Sequence, residues 1–267
     1  MSPFFSIITP VKNGKNFIER YLESLFRQTF KDFEVIIIDD HSNDNSYEYI
    51  KSQIKNDKRF KIFHLNLQKK CNSPYLARNK AIDISCGKYI CFFDVDDYWL
   101  PSKLERNHQT ITENLSIEFI FSCYFRYNYQ TDKYYLRTPF IIRNIHFSLA
   151  FFNPIPILTT CIKSDLVKEN IRFKPYNHED FVFWIDLLGN ISKDKIYLDN
   201  KPLTIYSISP TSTSGSKIKS LIWNYKIYRL KNSFITACFY VLIRFLIQVI
   251  IYFFDKEIQF DKTYFKY

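Results

Sequence analysis

The chain predicts an α/β fold: a mostly parallel central sheet flanked by helices, with an apolar helical appendage at the C-terminal end. Three observations carry that prediction. Over the first hundred residues, short apolar runs without a helical period alternate with amphipathic stretches, the order that a parallel βαβ sheet requires. Acids stand at the ends of two of those runs, Asp39-Asp40 and Asp94-x-Asp96-Asp97, where such a sheet faces its ligand crevice. From Phe234 to Phe254 the chain is nearly all apolar.

Phe4 to Thr9 reads as the first strand and Pro10 to Lys15 as the loop after it. Asn16 is placed to cap a helix in which Phe17, Ile18, Tyr21, Leu22, Leu25 and Phe26 recur on one face. Phe33 to Ile38 is a second buried strand, and the polar turn Ser42 to Ser46 caps a helix running to about Lys55. Phe60 to His64 makes a third strand, Pro74 to Ser85 a helix, and Tyr89 to Phe93 a strand that follows a glycine. A helix from Pro101 to about Asn114 precedes two strands, Glu118 to Tyr129 and Lys133 to Arg137, read as a hairpin. Ile142 to Phe152 reads as helical and Ile157 to Lys163 as a strand entering the crevice. Phe181, Phe183, Trp184, Leu187 and Leu188 mark an amphipathic helix ending at Gly189, before strands near Lys195 to Leu198 and Leu203 to Ile208 and a linker from Ser209 to Ser216.

At 267 residues and 46% hydrophobic content the chain can form one large domain with a small appendage. Lys and Arg number 37 against 27 Asp and Glu, a charge of +10 that suits an anionic ligand, a nucleic acid or an acidic membrane surface without choosing among them. The six cysteines form no CxxC pair, so neither a zinc site nor a disulfide framework is indicated, and a reducing cytosol fits them best. The opening Met-Ser-Pro-Phe-Phe-Ser reads as the approach to a strand, with none of the features of a secretory leader. With four glycines in all, the chain has no GxGxxG and no Walker loop, so a phosphate ligand would be held through a metal instead.

Carboxylates crowded at a strand end repel one another unless they share a cation. For Asp94, Asp96 and Asp97 the simplest one is a hard divalent metal carrying phosphate; the plainer alternative is a solvated acidic turn capping the next helix. Glu179-Asp180, at the start of the helix over 181–188, is a third acidic cluster.

Together these clusters resemble family 2 of the inverting nucleotide-sugar glycosyltransferases, GT-A in fold, of the kind that builds bacterial surface polysaccharide or lipooligosaccharide. The matching stretches are Ser6-Ile-Ile-Thr-Pro-Val-Lys-Asn13, Val35-Ile-Ile-Ile-Asp-Asp-His-Ser-Asn-Asp44, Leu76-Ala-Arg-Asn-Lys80, Phe92-Phe-Asp-Val-Asp-Asp97 with Trp99 and Pro101, and His178-Glu-Asp-Phe-Val-Phe-Trp184. They keep the family's order over about residues 4–210.

The resemblance implies a Rossmann-like GT-A catalytic domain over residues 1–210, with a nucleotide-binding half at 1–100 and an acceptor half at 101–210, and a C-terminal helical segment at 211–267. It implies a nucleotide-sugar donor, typically a UDP-sugar, a glycan or lipid-linked acceptor, Mn²⁺ or Mg²⁺ as cofactor, and no nucleic-acid partner. Carried over residue by residue, Thr9 lies in the loop over the nucleotide, Asp40 accepts the base N3–H, and Asp39 supports the turn. Arg78 pairs with the nucleotide or its diphosphate, and Asp94 lies near the ribose and the metal. Asp96 ligates the metal and Asp97 is an outer or alternate ligand. Asp180 is the base that takes the acceptor's proton, and His178 a polar rim residue.

Two departures accompany the match. Where many relatives have Tyr-Arg after the last sheet strand, this chain has Tyr206-Ser207, which leaves that arginine's contact missing or supplied by Lys217 or Lys219. The loop Gln68 to Ser73 has no glycine. Further on, Tyr240, Arg244, Gln248 and Tyr252 form one polar stripe on the apolar stretch 234–254, and Lys226, Arg229 and Lys231 precede it. That pattern reads first as a helix lying in the plane of a membrane surface, on the cytoplasmic face; a helix packed on the domain or a partner copy, and a true span, are the alternatives.

Among other activities, a phosphotransferase with Asp94 as nucleophile would need Thr or Ser where Tyr98 stands and leaves Asp39-Asp40 unexplained. A dinucleotide oxidoreductase lacks its glycine loop. A non-catalytic sugar-nucleotide or RNA-binding module is the remaining reading, supported by net charge alone.

Overall fold

Alternate side chains of the first strands feed opposite cores, which is why they assemble into a sheet covered on both faces. The computed structural model describes residues 2–66, 74–168, 171–208, 217–230, 232–254 and 259–260. The glycine-free loop over 68–73 and the linker over 209–216 lie outside them. In β1 (Phe5–Val11), β2 (Phe33–Asp39) and β4 (Tyr89–Phe92), residues Phe5, Ile7, Val35, Ile37 and Cys91 point to one core and Ile8, Ile36, Ile38, Ile90 and Phe92 to the other. The first core is closed by α1 (Ile18–Phe26) and α4 (Lys103–Glu113), the second by α3 (Tyr75–Ile84) and α7 (Glu179–Leu188). Between β2 and β3 (Phe60–His64) runs α2 (Ser46–Ile54).

The central sheet has the order β10-β6-β9-β4-β1-β2-β3, where β6 is Phe119–Ser122, β9 is Cys161–Lys163 and β10 is Ile196–Asp199. β1 is parallel to β2 and β4, β2 to β3, and β10 to β6, while β9 runs antiparallel to both of its neighbours. The sheet is therefore mostly parallel, as expected, and the C-terminal ends of β1, β2 and β4 share one edge. Gly87 enters β4 so close to β1 that a Cβ there would stand 2.5 Å from the Ser6 nitrogen, which explains a glycine at this position.

A second sheet, β12-β8-β7-β11-β5, was not foreseen; it comprises β5 (Tyr98–Trp99), β7 (Tyr124–Asn128), β8 (Lys133–Arg137), β11 (Thr204–Ile208) and β12 (Gln259–Phe260). The run read as one strand from Glu118 to Tyr129 is two, because after Cys123 the chain leaves the central sheet and pairs with β8 and β11. An unbroken apolar and aromatic run hides that change of partner. Smaller differences are local. Asn16 does not cap α1, whose N-cap position is Phe17, and the expected helix over 142–152 shrinks to α5 (Ile145–Leu149), capped by Asn144. The strand over 157–163 begins as a 3₁₀ turn, Ile157–Thr159, before β9, and α6 (Ser164–Lys168) follows.

α8 (Lys217–Tyr228) and α9 (Phe234–Phe254) pack on the domain rather than standing apart from it. Ile227, Tyr228 and Ala237 belong to the same core as α7, and the Tyr228 hydroxyl donates to the Phe151 carbonyl. Tyr240, Val241 and Ile247 turn inward and Arg244 is half-buried, so the first two members of the polar stripe face protein. The outward row is Ile235, Phe239, Leu242, Phe245 and Leu246, each at least half exposed. The stripe thus turns toward the protein at Tyr240 and Arg244, where Arg244 Nε and Nη1 are buried without a hydrogen-bond partner among the described residues. Among the described residues no helix is long and apolar enough to cross a membrane.

Candidate active site

At the edge where β1 and β2 end, two loops are laced by side chains. Asn13 N donates to Ser42 Oγ at 2.9 Å, Gly14 N to Ser46 Oγ at 3.0 Å and Lys15 N to Asp44 Oδ2 at 2.9 Å. Asn13, His41 and Asn45 hold left-handed backbone, with φ of 53°, 56° and 67°, a region in which Asn and His are tolerated better than most residues. Inside this rim Asp39, at 1% exposure, accepts the Ser42 amide at 3.2 Å and lies 3.3 Å from His64 Nδ1. Asp40, at 5% exposure, accepts from Lys12 Nζ at 3.2 Å and lies the same distance from His41 Nδ1. Thr9 is not in a loop: β1 continues to Val11, and the buried Thr9 hydroxyl accepts from Tyr21 OH at 2.6 Å.

The other acids gather around one arginine. Ala77, Ala81 and Ile82 bury α3 against the sheet, and that face carries Arg78 inward with them. Its Nη2 binds both oxygens of Asp94, at 2.8 and 2.9 Å, and its Nη1 binds Glu179 Oε1, while Nε is buried without a partner. The donor fork expected on the diphosphate is thus occupied by two carboxylates. One guanidinium joins the end of β4 to the start of α7, which brings Asp180 to the same edge. Although burial pushes the Arg78 pKa down, Asp94 and Glu179 hold it above its ordinary value.

Positive charge here does not match negative. Burial, reinforced by Asp94, pushes Asp96 up to about 6, and burial pushes Glu179 up to about 7 against the pull of Arg78. Asp97, expected as an alternate ligand, is 1% exposed and accepts the Ser207 amide at 3.0 Å; burial beside Asp96 raises its pKa well above the carboxylate range. Burial raises Asp180 as well, with His178 and Arg78 opposing. Asn153 Nδ2 donates to Asp180 Oδ2 at 2.8 Å and fixes the carboxylate's orientation. His178 meets Ser220 Oγ at 3.2 Å and the Trp223 ring at 5.3 Å, so the rim beside Asp180 is completed from α8.

Among the described residues no three of His, Cys, Asp and Glu converge as a ready-made metal cage. The acids nonetheless fit a divalent ion. Asp94 and Asp96 stand close enough for the charge of one to disfavour ionisation of the other, and a cation shared between them reverses that effect. Three participants were absent from the sequence reading. Asn153 and Glu179 had no assigned part, and only the acidic pair at 179–180 hinted at the second. Arg20 was the third: its Nη2 donates to Ser207 Oγ at 2.7 Å, at the position whose departure from Tyr-Arg had been noted. The side chains of Lys217 and Lys219, the substitutes considered for that arginine, lie outside the described set.

Comparison with known proteins agrees with the geometry. Residues 6–167 match the family described as glycosyl transferase family 2, a match that ends before α7 and its acids. The Escherichia coli protein UDP-Glc:alpha-D-GlcNAc-diphosphoundecaprenol beta-1,3-glucosyltransferase WfaP is 32% identical over 225 residues, 81% of this chain and 82% of its own. S. aureus TarS 1–349, solved with UDP-GlcNAc, shares the fold with a TM-score of 0.68 at 20% identity, over 92% of this chain and 72% of that one. The Pyrobaculum calidifontis mannosyltransferase PcManGT, solved with GDP-Man and Mn²⁺, superposes with a TM-score of 0.60 at 13% identity, over 90% and 70%. A match across more than half of its length, on a sheet whose strand ends carry the acids described above, means that the chain belongs to glycosyl transferase family 2 and is a glycosyltransferase.

Proposed function

We propose that this glycosyltransferase moves a sugar from a UDP-sugar to a hydroxyl of a lipid-linked glycan in cell-surface polysaccharide assembly, with inversion at the sugar C1. The observation that carries the reading is the Arg78 bridge from Asp94 to Glu179, which sets donor-side acids and Asp180 at one edge. WfaP, named for a UDP-glucose donor and a diphosphoundecaprenol acceptor, and the UDP-GlcNAc complex of TarS support the choice of substrates.

Asp40 receives the base N3–H and Asp39 holds the turn beneath it through the Ser42 amide. Arg78 keeps Asp94 and Glu179 in place. Asp94 and Asp96 would hold Mn²⁺ or Mg²⁺, which when bound stabilises negative charge growing on the leaving diphosphate. Asp180 takes the proton of the acceptor hydroxyl as its oxygen bonds C1 and the bond from C1 to the β-phosphate oxygen breaks, releasing UDP. Burial keeps this carboxyl more basic than an exposed one, which suits a base working near neutral pH. Residues 1–210 form the catalytic unit, donor half before acceptor half, and 211–267 the segment that carries it to the lipid. The outer row of α9 lies against the cytoplasmic face of the membrane, its apolar side chains covered by lipid.

Purified protein incubated with a panel of nucleotide sugars and Mn²⁺ should hydrolyse a UDP-sugar in preference to GDP- or CDP-sugars. Hydrolysis of none, or of a GDP-sugar alone, overturns the donor assignment. In vesicle flotation, Leu242→Glu with Phe245→Glu should abolish binding to anionic lipid, and unchanged flotation removes the membrane role.

A further inference from the structure

Arg20 is a cation at this edge that no carboxylate among the described residues has claimed. It lies in the first turn of α1, the end of the helix nearest the crevice because α1 follows the C-terminal end of β1. One terminal nitrogen donates to Ser207 Oγ at 2.7 Å, and the guanidinium carbon is 5.6 Å from the Tyr98 ring centre. Among the described residues no Asp or Glu lies within ion-pair distance of it. Ser207 gives its amide to Asp97 at 3.0 Å, so α1, the turn after β4 and the end of β11 form one wall. Among the described residues Arg78 is taken up by Asp94 and Glu179, and Lys12 by Asp40.

Geometry gives this arginine a direction. α1 contributes to the core on one face of the central sheet, and α3 and α7 to the core on the other, so Arg20 and Arg78 approach the acidic edge from opposite sides. Arg20 is half-buried, and one neutral hydroxyl orients it without neutralising it. A guanidinium held in that way keeps a planar donor face for phosphate oxygens. Asp96 and Asp97 both lie within its electrostatic reach, so it also offsets the acids that a diphosphate must approach.

We propose that Arg20, oriented by Ser207, is a binding residue for the diphosphate of the nucleotide donor, gripping it from the side opposite Arg78. The proposal rests on the donor reading above.

Calorimetric titration of UDP and of uridine, both with Mn²⁺, tests it in wild type, Arg20→Gln and Arg20→Lys. Gln retains a donor for Ser207 while removing the charge. Arg20→Gln should lose about 10–100-fold in UDP affinity, the range for a charged hydrogen bond, with uridine binding and Tm unchanged, and Arg20→Lys should recover part of the loss. Equal losses for UDP and uridine, or no loss for either, overturn the proposal and leave Arg20 as a brace for Ser207. If wild type binds no UDP, the donor reading and this proposal fall together; if wild type binds and Arg20→Gln binds equally well, only this proposal falls.

Discussion

The acids at the end of β2 differ from the acids between β4 and α7 in how far basic groups of the protein already meet them. Asp39 and Asp40 are 1% and 5% exposed, and each carboxylate already meets an amide or a basic side chain. Asp94, Asp96, Asp97, Glu179 and Asp180 have Arg78 as the one bonded cation among the described residues, and burial raises four of the five above their ordinary values. A cluster whose charges are satisfied can read a ligand by shape and hydrogen bonds. A cluster with unbalanced charge gains most from a ligand that brings a cation with it, and it holds a carboxylate basic enough to accept a proton.

Three substitutions test that division, in falling order of effect. Asp180→Asn removes the proton acceptor and should lower kcat by on the order of 10²–10⁴ while UDP affinity stays within about twofold, as steady-state kinetics and calorimetry would read. A matching loss of UDP affinity would move Asp180 to the reading side. Asp40→Ala should do the reverse, costing about 10–100-fold in UDP and uridine affinity alike through a lost charged hydrogen bond, with less effect on kcat at saturating donor. Unaltered uridine binding would mean that the β2 acids do not meet the base.

The smallest effect concerns stability. Asp96 has a folded-state pKa near 6, above its unfolded value, so between about pH 4 and pH 6 the folded state binds more protons than the unfolded one. This group's contribution is therefore fully present below about pH 4, is lost as pH rises through 6, and is a net cost at neutral pH. Asp96→Asn should raise the Tm of metal-free protein at pH 7.5 relative to wild type by several degrees, at about 2–4 °C per kcal/mol for a domain of roughly this size, and by much less at pH 4.5. An equal change at both pH values would mean that repulsion and burial do not disfavour the charged form of Asp96 here.

How much of this was legible in the sequence differs between the same two regions. Strand positions in the first hundred residues follow from apolar runs, and the acids at their ends from position alone, because a parallel sheet directs its strand ends to one edge. The partners of the second cluster come from distant points in the chain. Glu179 meets Arg78 across 101 residues, and Ser207 meets Arg20 across 187, separations on which local periodicity is silent. The second sheet escaped for the same reason, since the residues flanking Cys123 look like one strand and only pairing shows that they serve two. On α9 the spacing of Tyr240 and Arg244 gave the stripe but not its direction, because an apolar helix with a polar stripe can turn either face to the protein.

The claim on which the rest depends is that the second cluster waits for a cation together with the diphosphate. Calorimetric titration of UDP in Mn²⁺ and in EDTA measures it directly, with uridine as the ligand that lacks phosphate. The expected result is UDP binding that weakens at least tenfold in EDTA, uridine binding indifferent to metal, and an Asp96→Asn protein in which UDP affinity no longer depends on Mn²⁺. Equal UDP affinity in Mn²⁺ and EDTA for the wild-type protein would contradict the account.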